Sequence, residues 1–249
     1  KNDPVNKAMS YRNRADVYAA LEKFDLALAD YNKAVETAPK EYDNYDDRAD
    51  FYETQGQYDL ALLDYSKCID LMPENASAYN NRADLYDTYM EKYELALKDY
   101  AKAIELNNDE YSTWRATNNR ALIYESQKKY ELAIKEYTKA IEWVKNDPVN
   151  KAMSYRNRAD VYEAQEKFDL ALADYNKAVE TAPNDDYSYY LIAGIYEKKL
   201  KDYKMSLVNL NKCVELAPED YLLDRAKFYL RQKDYENAKM DFNTLIKID

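Results

Sequence analysis

Carboxylates are the side chains best placed to do chemistry in this 249-residue sequence, which has 47 Asp and Glu against 36 Lys and Arg, and no His. Paired acids such as Asp46 and Asp47 are the raw material of a hydrolase, one giving a proton while the other attacks or activates water. Adjacent helix residues point about 100° apart, so this pair does not converge on one bond. Without His there is no Ser-His-Asp or Cys-His relay and no imidazole metal ligand. Two Gly leave no room for a phosphate loop or a dinucleotide fingerprint. Acids lacking a base, a nucleophile and a shaped pocket are not a mechanism. Catalysis is therefore not expected, and neither is a cofactor or a metal. Cys68 and Cys213 read as small apolar helix residues, and two thiols make no disulfide framework. That usage suits a reducing compartment and makes a cytoplasmic location the expectation.

The remaining chemistry is recognition. Twenty-eight Tyr would make a stacking surface if they were free. A net charge of −11 argues against nucleic acid, because phosphate binding is dominated by Lys and Arg. No run of 18 apolar residues occurs, so no membrane insertion is expected.

The elements that position these residues are repeats. Residues 1–39 return at 145–183 with only Ala19→Glu163 and Leu21→Gln165 changed. A shorter period lies inside the long one. Tyr11, Arg14, Ala15, Tyr18, Phe24, Ala27, Tyr31, Ala34 and Pro39 return as Tyr45, Arg48, Ala49, Tyr52, Tyr58, Ala61, Tyr65, Cys68 and Pro73, 34 residues later. Tyr11, Arg14, Ala15 and Tyr18 mark one helix face by i, i+3, i+4, i+7 spacing, and Phe24, Ala27, Leu28, Tyr31, Ala34 and Val35 mark a second. All six Pro stand where a helix should end or begin, at 4, 39, 73, 148, 183 and 218. A unit of this size cannot bury its apolar faces alone, so neighbouring units must stack.

The pattern resembles the tetratricopeptide repeat. Seven copies are read, at about 8–41, 42–75, 76–110, 111–151, 152–185, 186–219 and 220–249, in one array over residues 1–249. Copies three and six gain a residue between their two helices, and copies four and five gain helix length around Asp147-Pro148. The resemblance implies an all-α solenoid of seven helix-turn-helix units, wound as a right-handed superhelix with each first helix lining an inner groove. It also places 22 of the 28 Tyr at packing positions, leaving Tyr42, Tyr89, Tyr111, Tyr187, Tyr190 and Tyr221 to be explained.

At repeat position 7 stand Arg14, Arg48, Arg82, Arg120, Arg158 and Arg225, and at position 23 of the same copies Asp30, Asp64, Asp99, Glu136, Asp174 and Asp241. Copy six lacks both, having Ile192 and Asn209. Their joint loss predicts that each Arg pairs with an acid of its own or a neighbouring copy. Gly194, at position 9 of copy six, either relieves crowding or opens a pocket.

The resemblance assigns the ligand to positions 2, 5, 6, 9, 12 and 13 of the first helices. Those positions offer Asp16, Asp43, Asp46, Asp47, Asp50, Glu53, Asn80, Asn81, Asp84, Asp87 and Asn118 in copies one to four. Arg156, Asn157, Asp160, Tyr187, Tyr190, Leu191, Leu223 and Lys227 continue the surface in copies five to seven. Copy two alone holds −7 of the −11, which predicts a focused negative potential. Family members that bind chaperone tails clamp a carboxylate with Lys, Arg and Asn. Here the clamp positions read Arg12, Asp16, Asp47, Ser77 and Asn81, or Arg156, Asp160, Leu191, Asp220 and Asp224, so an acidic tail is not expected to bind. The expected partner is a protein or peptide that is basic, with an apolar anchor near Tyr190, Leu191 and Leu223. Asp47, Asp50 and Asp84 are its expected charge contacts. The alternative is a self-associating structural array, either an excerpt of a longer solenoid or one whose ends associate head to tail or end to end, since copy one carries the face that copy five turns toward copy four.

Overall fold

The computed structural model describes residues 3–107 and 109–248. It contains fourteen α-helices and no strand among them, and divides after Gln127 into two compact units. The first unit holds α1 (Pro4–Ala20), α2 (Phe24–Thr37), α3 (Tyr42–Thr54), α4 (Tyr58–Leu71), α5 (Ala76–Thr88), α6 (Tyr93–Leu106) and α7 (Glu110–Ser126). The second holds α8 (Tyr130–Trp143), α9 (Pro148–Ala164), α10 (Phe168–Thr181), α11 (Asp186–Ile195), α12 (Tyr203–Leu216), α13 (Pro218–Arg231) and α14 (Tyr235–Ile248), with a π-helical turn at Tyr196–Leu200. Within each unit a helix packs chiefly on its sequence neighbours, the contact pattern of a stacked helical repeat.

Local chemistry sets the boundaries. Asp3 caps α1 by accepting from the Val5 N–H at 3.0 Å, and Asp147 caps α9 by accepting from Val149 and Asn150. Pro4, Pro148 and Pro218 open helices at a position whose N–H has no helical partner. The added length of copies four and five falls on the first helices: α7 and α9 have 17 residues where α3 and α5 have 13.

First helices end in a left-handed residue: Glu22, Gly56, Glu91, Lys128, Glu166, Lys201 and Lys233 all have positive φ. In most copies the following N–H reaches back five residues to the carbonyl of a packing Tyr, as Lys23 does to Tyr18 and Lys167 to Tyr162. The extra residue of copies three and six widens this closure to six, from Lys92 to Tyr86 and from Asp202 to Tyr196. In copy six the extra residue is taken up by the π-helical turn, which ends at the left-handed Lys201.

Small residues let the helices approach. Ala15 and Ala27 in copy one, Ala49 and Ala61 in copy two, and Ala159 and Ala171 in copy five are all fully buried, with the position-24 tyrosines beside them. Five of the six predicted ion pairs lie inside single copies. Arg48 forks onto Asp64 at 2.7 and 2.8 Å, Arg82 onto Asp99 at 2.7 and 2.9 Å, Arg158 onto Asp174 at 2.7 and 2.8 Å, and Arg225 onto Asp241 at 2.9 and 2.7 Å. Arg14 does the same with Asp30 and holds that carboxyl below its usual range. A spare N–H of the same guanidinium then reaches the preceding copy's second helix, from Arg48 to Asn32 at 2.7 Å and from Arg158 to Thr138 at 2.8 Å. Arg48, Arg82, Arg158 and Arg225 thus join their own helix pair and tie it to the one before.

Candidate protein-binding face

In the first unit the polar residues of α1, α3, α5 and α7 meet across the seams. Arg12 donates to Asp47 at 2.7 Å and to Asp43 at 3.3 Å. Asn81 donates to Asp46 at 3.1 Å, and Arg115 donates to Asn81 at 3.1 Å and pairs with Asp84. Asn119 adds a donor to Asp84 at 2.9 Å.

The position-9 acids have a further partner that the sequence reading missed. A buried Tyr on the second helix donates its phenol to the acid on the first: Tyr31 to Asp16 at 2.5 Å, Tyr65 to Asp50 at 2.6 Å, Tyr100 to Asp84 and, in the second unit, Tyr175 to Asp160. The rings belong to the core and the hydroxyls to the polar face. Burial, reinforced by the carboxylates, raises all four phenols above their ordinary pKa, so they stay donors.

These bonds redistribute the expected ligand contacts. Asp47 is held by Arg12, and Asp84 is shared by Tyr100, Arg115 and Asn119, so the two are largely neutralised from within. Asn80 is 0% exposed and donates to the Ser112 carbonyl at 2.9 Å, and Asn118 is 3% exposed. The sequence pattern places both on the ligand face, but Asn80 bridges α5 to α7 and Asn118 is buried on α7. Asn157 is half-buried on α9. Asp16, Asp46, Asp50, Glu53 and Asp87 form no salt bridge with Lys or Arg among the described residues. Burial first, and the Asp50 charge second, push Asp46 up to about 6. Burial and Asp84 push Asp87 up to about 6. Asp47, Asp50 and Glu53 are also raised, with burial the largest cause. Asp46, Asp47, Asp50, Glu53 and Asp87 are thus harder to ionise than free carboxyls, chiefly because they are buried.

The second unit presents different chemistry. Arg156 is bound by Asp185 at 2.9 and 3.1 Å and lies 5.3 Å from the Tyr187 ring centre. Tyr187, Tyr190 and Tyr221 form a run of rings with centroids 6.3 and 5.5 Å apart. Tyr221 is buried and donates to Asp186 at 2.7 Å. Leu223 and Lys227 are exposed and Leu191 is half-buried. Arg231 forks onto Glu197 at 2.6 and 3.0 Å. A cavity of about 560 Å³ opens beside Gly194. The other unassigned tyrosines also have partners: Tyr42 donates to Asp46 at 3.0 Å, Tyr89 stacks on Tyr58 at 4.4 Å, and Tyr111 leans on Trp114 at 5.8 Å.

Family profiles described as tetratricopeptide repeat match residues 8–41, 42–75, 76–110, 187–220 and 219–249, and a second profile of that description matches 109–184. No curated protein sequence matches. Among solved structures, Pseudomonas aeruginosa pilF is similar at 19% identity, covering 86% of this chain and 94% of that one, with a TM-score of 0.66. A tetratricopeptide repeat protein from Parabacteroides merdae is 20% identical over 97% of this chain and 93% of its own, with a TM-score of 0.64. YrrB, described as a tetratricopeptide repeat protein with an unusual peptide-binding site, is 19% identical over 82% and 97%, with a TM-score of 0.54. These likenesses are of fold. The profiles, which cover most of the sequence, and the paired helices that they fall on place this chain in the tetratricopeptide repeat family.

Proposed function

We propose that the chain is a non-enzymatic scaffold that binds an extended or helical segment of another protein. Tetratricopeptide repeats generally mediate protein–protein interaction, and the chemistry of the two units supports a particular kind of partner. It is basic where it meets the first unit and carries an apolar or aromatic anchor where it meets the second. The carrying observation is an acid-rich face in which Arg12 and Arg115 are already paired, while burial and the neighbouring Asp50 and Asp84 charges raise Asp46 and Asp87 to about 6. A Lys or Arg from the partner would relieve that repulsion. Charge then acts mostly on encounter rate, and the apolar end on residence time. Arg12 and Arg156, the clamp positions that bear a base, are already paired with Asp43, Asp47 and Asp185, which disfavours an acidic tail. The test is fluorescence anisotropy with a Lys/Arg-rich peptide at low salt, comparing the intact chain with Asp46→Asn, Asp50→Asn and Asp87→Asn combined. Loss of binding supports the reading, and unchanged affinity sinks it.

One observation favours a second reading, in which array ends associate. Val17 on α1 is 56% exposed, whereas its duplicate Val161 on α9 is 0% exposed. Helix α9 packs on α8, and α1 has no preceding helix among the described residues. A further repeat, from a longer chain or a second copy, would cover the α1 face. Light scattering across a concentration series tests the second-copy version, which a strict monomer would refute.

A further inference from the structure

Copy six departs from the repeat at three positions that converge on one cavity. At position 9, where copies one, two, three and five place Asp16, Asp50, Asp84 and Asp160, it has Gly194. At position 24, where those copies place the phenol donor, it has Leu210. At position 20, where Ala27, Ala61, Ala96, Ala133, Ala171 and Ala238 are buried, it has Ser206. Gly194, Leu210 and Ser206 all line the cavity of about 560 Å³.

Each departure has a physical meaning. Replacing an Asp–Tyr pair by Gly and Leu removes a carboxylate and a phenol from one spot, and a Cβ built on Gly194 would meet nothing within 4 Å. Gly194 therefore does not relieve a crowded contact. Ser206 is fully buried, and its hydroxyl has no hydrogen-bond partner. An orphaned buried hydroxyl costs about 1–3 kcal/mol, which the six Ala-bearing copies avoid. The π-helical turn contributes Glu197 and Lys198 to the same rim. That rim is balanced, with Glu163, Glu197 and Asp224 against Lys198, Lys201 and Arg231. The strongest of these charges is satisfied by the Arg231–Glu197 fork. The carboxylate face of the first unit calls for a cation; this cavity does not.

We propose that the cavity beside Gly194 receives an uncharged phenolic side chain, a tyrosine of the bound partner, packed on Tyr190, Leu191 and Leu210 with its hydroxyl paired to Ser206. The occupant replaces what copies one, two, three and five supply internally: a Tyr ring in the core and a hydrogen bond for its phenol. Phenylalanine would fill the space but leave Ser206 unpaired. This rests on the reading of the second unit as the anchor end, and it makes the anchor a specific residue type.

The probes are N-acetyl-tyrosinamide and N-acetyl-phenylalaninamide, titrated into the full chain and followed by NMR chemical shifts. The tyrosine probe is expected to bind about 3–10-fold tighter, the ratio that one net hydrogen bond gives. The double substitution Gly194→Asp with Leu210→Tyr restores the pair of copies one, two, three and five, should fold at least as stably, and should abolish binding of both probes. Ser206→Ala keeps the cavity and should equalise the probes. The Asp46→Asn, Asp50→Asn, Asp87→Asn chain should bind the tyrosine probe normally, so failure of the carboxylate reading and failure of this one are distinguishable. Equal affinities for the two probes in the intact chain, or tyrosine binding that survives Gly194→Asp/Leu210→Tyr, would overturn the assignment.

Discussion

Asp46 and Asp87 are the carboxyls of the first unit pushed furthest from their ordinary range. Each is raised to about 6 in the folded chain, against about 4 for a free Asp, so the folded state holds protons more tightly between those values. Stability therefore falls as pH rises through that window, and the whole penalty is present above it. Asp30 has the opposite sign: Arg14 lowers its pKa, and that stabilisation is lost only when pH falls below the ordinary carboxylate range. Urea midpoints should be higher near pH 5 than at pH 7.5, and Asp46→Asn with Asp87→Asn should flatten the difference. A double variant with an unchanged pH slope would assign the slope to other groups. How far such detail was legible depended on the logic applied. The Arg–acid pairs were found because copy six loses both members together. The Asp–Tyr pairs leave a weaker trace: copy six loses both members at Gly194 and Leu210, but copy four keeps Tyr137 with Leu122 at position 9, so co-variation alone does not pair them. Nothing in residue type alone told that Arg115 would claim Asp84, because that bond joins different helices of different copies.

At the scale of the element, the ends of the first helices are the weak local choice. A left-handed residue with a Cβ costs about 1–2 kcal/mol, and six of the seven such positions here are Glu or Lys, with Gly at position 56 alone. Glu166→Gly is therefore expected to stabilise the α9–α10 turn by about 0.5–1 kcal/mol once the entropy of the unfolded glycine is counted, which a thermal melt would register as a raised midpoint. A lowered midpoint would mean that the Glu166 side chain does something the backbone does not reveal. Helix positions were largely legible, because period, proline placement and the buried Ala columns all report the same 34-residue unit. The form taken by an inserted residue was not. Copies three and six have the same insertion and the same six-residue closure, yet among the described residues only copy six makes a π-helical turn, so residue count alone does not decide the form.

At the scale of the whole molecule, stability in stacked repeats is a sum of local terms and neighbour interfaces, so folding can start at several places and spread. The duplicated segment gives that freedom an unusual cost. Residues 1–39 and 145–183 build helices with the same bounds relative to their sequence, α1–α2 and α9–α10, opened by the same Asp cap. Either segment has the surface needed to dock on α8. What distinguishes them there is residue 165, where Gln donates to Glu131 on α8 at 3.1 Å and the other segment has Leu21. One exposed hydrogen bond is worth about 0.5–1.5 kcal/mol, a weak preference during collapse. A synthetic peptide of residues 1–39 added to refolding chain should slow recovery of native signal in proportion to its concentration, and a peptide of residues 42–75 should not. Equal slowing by both would refute mistaken identity as the cause. The chain thus contains its own competitor: two keys cut to almost one pattern, for which correct assembly depends on chain connectivity bringing the right one to the lock first.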